Sequence, residues 1–147
     1  MLYEAVNPGA LRSWCGPTVI AAITGLAIPS VKARIKKVRG HNGPVKGTHT
    51  WEVRKVLEEL GYQMEHQPLY RNGALRAGGL KLTLAQWLKR PRDMEAAYIL
   101  EVTNHWVAVK GRWFCDTYTK GVPVRCTQAP RKRKRVCNVY KVTPVRR

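Results

Sequence analysis

Three widely separated side chains, Cys15, His105 and Asp116, are of the types that together perform nucleophilic catalysis. Cys15 directly precedes a small, apolar, helix-forming run in SWCGPTVIAA. A free thiol has a pKa of about 8.5, and a helix N-terminus or a neighbouring imidazolium lowers it, which makes the reactive thiolate more abundant. The sequence predicts the helix N-terminus at Cys15, and a histidine partner must come from the four in the chain.

His105 has the sequence context expected of a catalytic base. It lies in YILEVTNHWVAVKGRWFCDTY, where the residues on both sides predict strands, and a strand supports an imidazole rigidly. Gly111 predicts a tight turn, so we expect Asp116 to pair across the hairpin with His105 and to orient its ring. Asn104 is less suited to this role, because adjacent strand residues point to opposite faces. The remaining histidines are predicted to be solvated or capping residues in loops or at element ends: His41, His49 and His66.

Each member of this trio also has an ordinary structural interpretation. Free cysteine is among the most buried residue types, a strand histidine is commonly satisfied by neighbours, and aspartate is common in turns. Only the combination predicts a catalytic triad. The other cysteines are evenly spaced and are predicted to be core residues: Cys115, Cys126 and Cys137. They lack the close pairs typical of zinc sites, so the sequence predicts neither a metal nor a cofactor.

The elements that must position these residues begin with helices. An apolar helix is predicted at 15–26, and because it is apolar on nearly every side it is expected to be central. A second helix is predicted at 30–39, after Pro29. A third begins near Thr50, with Thr48 or Thr50 as its cap, and ends at Gly61.

Strands dominate the rest of the chain. YQMEHQPLY predicts a short strand, and a short helix is expected to begin near Thr83 and to stop before Pro91. Further strands are predicted at 97–103, 105–110, 112–116, 121–126 and 136–142. Helices followed by strands predict an α+β fold in a single domain, 1–147, with the helix of Cys15 packed against a C-terminal antiparallel sheet.

This order of cysteine, histidine and aspartate resembles that of the papain-like cysteine peptidases, and most closely their small branch related to the bacteriocin-leader (double-glycine) peptidases. The resemblance lies in WCGPTVIAAITG, GTHTWEVRKVLEELGY and TLAQWLKRPRDMEAAYILEVTNHWVAVKGRWFCD, which together span most of residues 13–116. It implies a papain-like fold, with Cys15 as nucleophile, His105 as general base and acid, and Asp116 as the orienting carboxylate. It also implies a peptidase, or a related amide or isopeptide hydrolase, that acts on a protein or peptide through an acyl-enzyme thioester.

The resemblance further implies an oxyanion hole built from the backbone N–H of Cys15 and an upstream side-chain donor. The family places a glutamine about six residues before its cysteine as that donor. This sequence has Gly9 there and no glutamine before Gln63. Asn7 is the nearest side-chain amide and is the candidate donor, with Arg12 and Ser13 as substitutes. Loss of such a donor costs about 100- to 1000-fold in rate, which leaves open a non-catalytic member of the fold.

The chain is strongly basic, with 27 lysines and arginines against 9 acidic residues and a net charge of +18. A charge of this size and sign attracts polyanions. The segment from Thr117 to Arg147 contains no acidic residue, and RKRKR within it is predicted as the tip of a loop or hairpin at about 128–136. The candidate nucleic-acid-binding residues are Arg131, Lys132, Arg133, Lys134 and Arg135. Selection of an acidic protein partner or substrate, and nuclear localisation, are alternative interpretations of this run.

The sequence contains neither an apolar stretch of about 20 residues, as a membrane span requires, nor the pattern of a secretory signal. We therefore expect a cytoplasmic protein, or a virion component if a phage encodes it. Three classes of function remain open: a thiol hydrolase, an inactive papain-like module that binds nucleic acid or an acidic protein, and an acyl or amide transferase with the same triad.

Overall fold

The computed structural model describes residues 1–4, 15–41, 43, 45, 47–69, 81–103 and 105–145. Within these residues the chain forms four α-helices and a six-stranded antiparallel sheet, so the prediction of an α+β fold is confirmed. The helices are α1 (Cys15–Thr24), α2 (Ile28–Arg39), α3 (Thr50–Glu59) and α4 (Leu84–Leu88), and a short 3₁₀ helix is formed by Cys126–Gln128. The strands are β1 (Tyr62–His66), β2 (Ala97–Val102), β3 (His105–Lys110), β4 (Trp113–Cys115), β5 (Val124–Arg125) and β6 (Val136–Pro144).

The strand order in the sheet is β1-β6-β2-β3-β4-β5. The C-terminal antiparallel sheet also includes β1, which comes from the middle of the chain and pairs over all its residues with β6. This pairing satisfies backbone groups of β6 that would otherwise form an open sheet edge. The strand predicted at 121–126 is shorter in the structure, where β5 covers only Val124–Arg125. Lys120 and Gly121 have positive φ angles of 57° and 75°, so the backbone is not extended at the predicted start of the strand.

One face of the sheet is covered by the first three helices. α1 lies at the centre, and its residues from Gly16 to Ile23 are buried. Trp106 and Ala108 of β3 belong to the same apolar cluster, as expected of alternate residues on one face of a strand. A Cβ on Gly16 would lie 2.5 Å from Oγ1 of Thr48. Glycine at this position therefore allows the segment before α3 to pack against the first turn of α1.

Two helix starts differ from the prediction. α2 begins at Ile28 and contains Pro29 in its first turn, where a proline without an N–H is tolerated. The N-cap of α3 is His49 and not Thr48 or Thr50. The backbone N–H of His49 donates to Oε1 of Glu52 at 2.9 Å, and this buried carboxylate also accepts two hydrogen bonds from Arg39 at 2.7 and 2.9 Å.

The other face of the sheet has a smaller cover. Val107 and Val109 of β3 face a second apolar cluster that includes Leu84 and Trp87 of α4. The segment 126–135 completes this layer on its way from β5 to β6. Because β5 and β6 are separated by three strands, the segment crosses over the sheet. The basic run therefore lies in a crossover loop, and of the two predicted alternatives the hairpin is wrong.

No single helix among the described residues has the length and apolar composition that a membrane span requires. α1 and α2 meet those two requirements only together, as a pair bent by 115°.

Candidate active site

His105 and Asp116 contact each other at the open end of the β3–β4 hairpin. Nε2 of His105 lies 3.0 Å from Oδ2 of Asp116, and the two side chains are 9% and 2% exposed. The hairpin pairs Ala108 with Cys115, so Asp116 continues the register beside Val107 and not beside His105. His105 and Val107 share one face of β3, and the carboxylate reaches the imidazole diagonally. The predicted contact is present, but the predicted register is wrong by two residues.

A turn after β4 holds the Asp116 carboxylate in place. Its Oδ1 accepts a hydrogen bond from the backbone N–H of Thr119 at 2.9 Å, while Oδ2 contacts His105. The Thr119 hydroxyl donates in return to the backbone carbonyl of Asp116 at 3.0 Å. Thr119 was missed in the sequence, although an aspartate followed three residues later by a threonine is typical of such turns. Both carboxylate oxygens are thereby engaged, which fixes the orientation of the group toward the ring.

The side chain of Cys15, on α1, lies close enough to the same imidazole to raise its pKa. Cys15 is the first residue of α1 and is partly buried against the core. Burial lowers the pKa of His105, but hydrogen bonds to Asp116 and to Cys15, together with the charges of both groups, outweigh burial and raise it from 6.5 to about 9. At neutral pH this imidazole therefore carries its second proton, so the site holds a cation.

An aromatic ring covers the imidazole. The ring of Tyr118 meets that of His105 edge to face, with the centroids 4.8 Å apart. The guanidinium of Arg131 lies over Tyr118, 4.7 Å from the ring centroid, and its Nη1 donates to the tyrosine hydroxyl at 2.9 Å. Sequence reasoning missed Tyr118, because no pattern along the chain showed that the turn after Asp116 folds back over His105. This stack joins the basic loop to the His105–Asp116 pair.

Of the remaining cysteines, Cys115 is buried and Cys126 packs partly buried against the second apolar cluster, whereas Cys137 is partly exposed and belongs to neither cluster, so the prediction of a core residue is wrong for Cys137. All four cysteines are free thiols. Burial raises the pKa of Cys115 to about 12, and it also raises the pKa of Cys126. Among the described residues no group of three or more His, Cys, Asp and Glu side chains could hold a metal ion.

The five cations of the basic run have different environments. Arg131 stacks on Tyr118, Nζ of Lys132 donates to a backbone carbonyl at 2.8 Å, and Nη1 of Arg135 donates to another at 2.8 Å. The backbone carbonyls of Lys132 and Lys134 accept hydrogen bonds from N–H groups in the first turn of α4. Arg133 is exposed. The run is therefore part of the folded layer, and several of its side chains are held by it.

The candidate oxyanion donor Asn7 lies outside the described residues, as do Gly9, Arg12, Ser13 and Asn104. Near the start of α1, Thr48 supplies a hydroxyl that sequence reasoning missed. Its Oγ1 is buried and has no hydrogen-bond partner in the described part of the chain, and its carbonyl accepts from Nε1 of Trp106 at 3.4 Å. No local sequence pattern could reveal this hydroxyl, because the connection between α2 and α3 brings it to α1.

Neither a scan against protein-family models nor a search of the curated proteins finds a match to this chain. A function for the site must therefore rest on its geometry and chemistry.

Proposed function

We propose that the protein is a thiol hydrolase of the papain-like kind, which cleaves an amide or isopeptide bond in a protein or peptide. The observation that supports this most is that His105 contacts Asp116, at 3.0 Å, and that the side chain of Cys15, at the start of α1, is the other group that raises the pKa of this imidazole. A histidine with only a structural role needs no thiol partner at a helix N-terminus. The sequence order of the three residues and the packing of a buried helix on an antiparallel sheet support the same proposal.

Each residue of the trio has a distinct role in the proposed reaction. In the resting site Nδ1 of His105, the second ring nitrogen, holds the proton given up by the Cys15 thiol, and the thiolate Sγ attacks the carbonyl carbon to form a C–S bond. The C–N bond then breaks as His105 gives this proton to the leaving amine. His105 next takes a proton from water, whose oxygen attacks the thioester, and the C–S bond breaks to release the acid and regenerate the thiol. Asp116 orients the ring and stabilises its charged form.

In the proposed enzyme the oxyanion is held by the backbone N–H of Cys15 and by an upstream side-chain donor, for which the sequence offers Asn7 as the candidate and Arg12 and Ser13 as substitutes. Asn7→Asp keeps the size of the side chain and removes its N–H donor, so it should slow formation of the acyl-enzyme about 100- to 1000-fold. p-Nitrophenyl acetate is a suitable probe, because it acylates reactive thiols and reports the rate through released p-nitrophenolate. An unchanged rate in Asn7→Asp would show that another group stabilises the oxyanion.

Alkylation by iodoacetamide tests the proposed nucleophile without knowledge of the substrate. Near neutral pH we expect Cys15 to be modified faster than the other three thiols, measured by peptide mass spectrometry. His105→Ala should abolish this advantage, whereas His66→Ala, which removes a histidine that stacks on Tyr140 in β6, should preserve it. If Cys15 reacts no faster than the partly exposed Cys137, the proposed catalysis is wrong.

The second candidate function is a binding module that acts on nucleic acid or an acidic protein through its basic surface. It is favoured by the net charge of +18 and by exposed cations at two places, Arg34 and Lys37 on α2 and Arg133 in the crossover loop. α2 and the loop lie on opposite faces of the sheet, so they form two separate basic surfaces. Cations on such surfaces would contact the backbone phosphates of a nucleic acid, and these contacts do not depend on its base sequence.

The salt dependence of DNA affinity tests the second candidate. If the crossover loop binds phosphates, the logarithm of the affinity should fall steeply with the logarithm of salt concentration, and alanines at 131–135 should flatten that slope. The matched control is the double variant Arg34→Ala/Lys37→Ala, which removes two exposed charges from the other surface. An affinity that does not depend on salt would contradict polyanion binding.

A further inference from the structure

A pocket of about 200 Å³ adjoins the His105–Asp116 pair on the second face of the sheet. His105, Asp116 and Tyr118 line it, and Leu84 and Val107 contribute apolar surface. Arg131 and Lys134 of the crossover loop also line the pocket. The pocket is large enough for a small polar group, and it lies directly beside the imidazole that exchanges protons in the proposed reaction.

The charges that line this pocket favour an anion. Arg131, Lys134 and the protonated ring of His105 are cationic, and among the described residues that line the pocket Asp116 is the only carboxylate. That carboxylate is already engaged by His105 and by the N–H of Thr119. Within the described residues neither Arg131 nor Lys134 forms an ion pair with an acidic side chain. In the described part of the chain, the pocket thus has two cations that form no ion pair with a carboxylate.

The backbone of Arg131 is held in an unusual conformation beside this pocket. Its φ angle is 55°, in the left-handed region that costs a non-glycine residue energy. A backbone hydrogen bond from Lys134 to the carbonyl of Arg131, at 3.1 Å, closes the turn. In this conformation the side chain lies over Tyr118 at the rim of the pocket. The loop therefore fixes a guanidinium where an incoming anion would meet it.

We propose that this pocket binds a carboxylate of the substrate on the leaving-group side of the scissile bond. This inference rests on the proposed function, in which His105 protonates the leaving amine, so the chain that follows the scissile bond must pass beside the imidazole. A carboxylate there hydrogen-bonds to Arg131 and is attracted by Lys134. It comes either from an acidic side chain or from a free C-terminus close to the cleaved bond.

Short peptides with a free amine mimic the leaving group and test this proposal by binding. The probes are Ala-Glu-amide, with an acidic side chain, Ala-Ala, with a free C-terminal carboxylate, and Ala-Gln-amide, which has neither. Binding is followed by the NMR shift of the His105 ring, which His105→Ala identifies among the four histidines. We expect at least one carboxylate probe to bind about tenfold more tightly than Ala-Gln-amide, and the better of the two identifies the source of the carboxylate.

Two matched variants assign the effect to the pocket. Arg131→Asn removes the charge but keeps a residue that tolerates a positive φ, and it should weaken binding of the better probe about tenfold. Arg133→Asn removes an exposed charge from the same loop and should leave binding unchanged. Equal binding of all three probes, or equal effects of the two variants, would overturn the proposal. Iodoacetamide reactivity of Cys15 tests the catalytic proposal separately, so the two failures can be told apart.

Discussion

Asp116→Asn is expected to lower the pKa of His105 while preserving the geometry of the site. Asparagine has nearly the same shape as aspartate, and its oxygen can still accept a hydrogen bond from the ring. It lacks the negative charge that favours the imidazolium. Burial then lowers the pKa of His105 against less opposition, which comes from the Cys15 side chain and from an uncharged hydrogen bond to asparagine. We expect the pKa to fall by at least about one unit.

The magnitude for the intact site follows from the pKa itself. A pKa of about 9, against 6.5 for the free side chain, corresponds to about 3 kcal/mol of preference for the charged ring, which Asp116 and Cys15 share. Because the folded-state pKa lies above the unfolded one, this stabilisation is fully present below pH 6.5 and is lost as the pH rises through 9. The free energy of unfolding should therefore fall across that interval in the wild type, and less in Asp116→Asn.

NMR titration of the histidine ring protons measures the pKa, and urea unfolding at several pH values measures the stability. The three other histidines serve as internal references, and Cys15→Ala serves as the comparison. Cys15→Ala should lower the pKa of His105 by less than Asp116→Asn, because the hydrogen bond to Asp116 is the larger of the two contributions. The reasoning is refuted if Asp116→Asn leaves this pKa unchanged, or if the two variants lower it in the opposite order.

Two further substitutions test the packing that positions the site. Gly16→Ala should lower the free energy of unfolding by about 1–3 kcal/mol, because its Cβ would lie 2.5 Å from Oγ1 of Thr48. A Cβ on Gly47 would have no atom within 4 Å, so Gly47→Ala should leave the free energy of unfolding nearly unchanged. Equal melting temperatures of these two variants would contradict the close approach of α1 to the segment before α3. Arg39→Met leaves the buried carboxylate of Glu52 without its guanidinium and should cost about 3 kcal/mol at neutral pH. Burial raises the pKa of Glu52, but its hydrogen bonds to Arg39 and His49 hold that pKa below 4.5. The wild type therefore loses stability as the pH falls below this value. In urea unfolding, its stability advantage over Arg39→Met should become smaller there.

The elements near the candidate site were predictable because their signals are local. Apolar periodicity indicated α3, the glycine at 111 indicated the hairpin, and Thr83 caps α4 with a hydrogen bond from the N–H of Gln86 at 3.1 Å. These features depend on residues within one or two turns of each other, so the sequence carries them directly. The hairpin register was not predictable to the residue, because Asp116 follows β4 and reaches His105 diagonally.

Other parts of the site depend on residues that are distant in sequence. Tyr118 over His105, Arg131 over Tyr118 and Thr48 against Gly16 each join separate elements. From the sequence alone, the basic run indicates a solvated surface or a contact with a polyanion. The structure shows that its loop crosses the sheet and lines a pocket beside the His105–Asp116 pair.

By itself the sequence determined the fold class and the strong positive charge, because composition and periodicity act along the chain. It also provided Cys15, His105 and Asp116 in an order that carries a chemical hypothesis. Only the tertiary structure decided that β1 completes the sheet beside β6 and that the crossover loop meets the His105–Asp116 pair. Contacts of this kind form between distant segments when apolar faces are buried together, and local propensity does not encode which segments will meet.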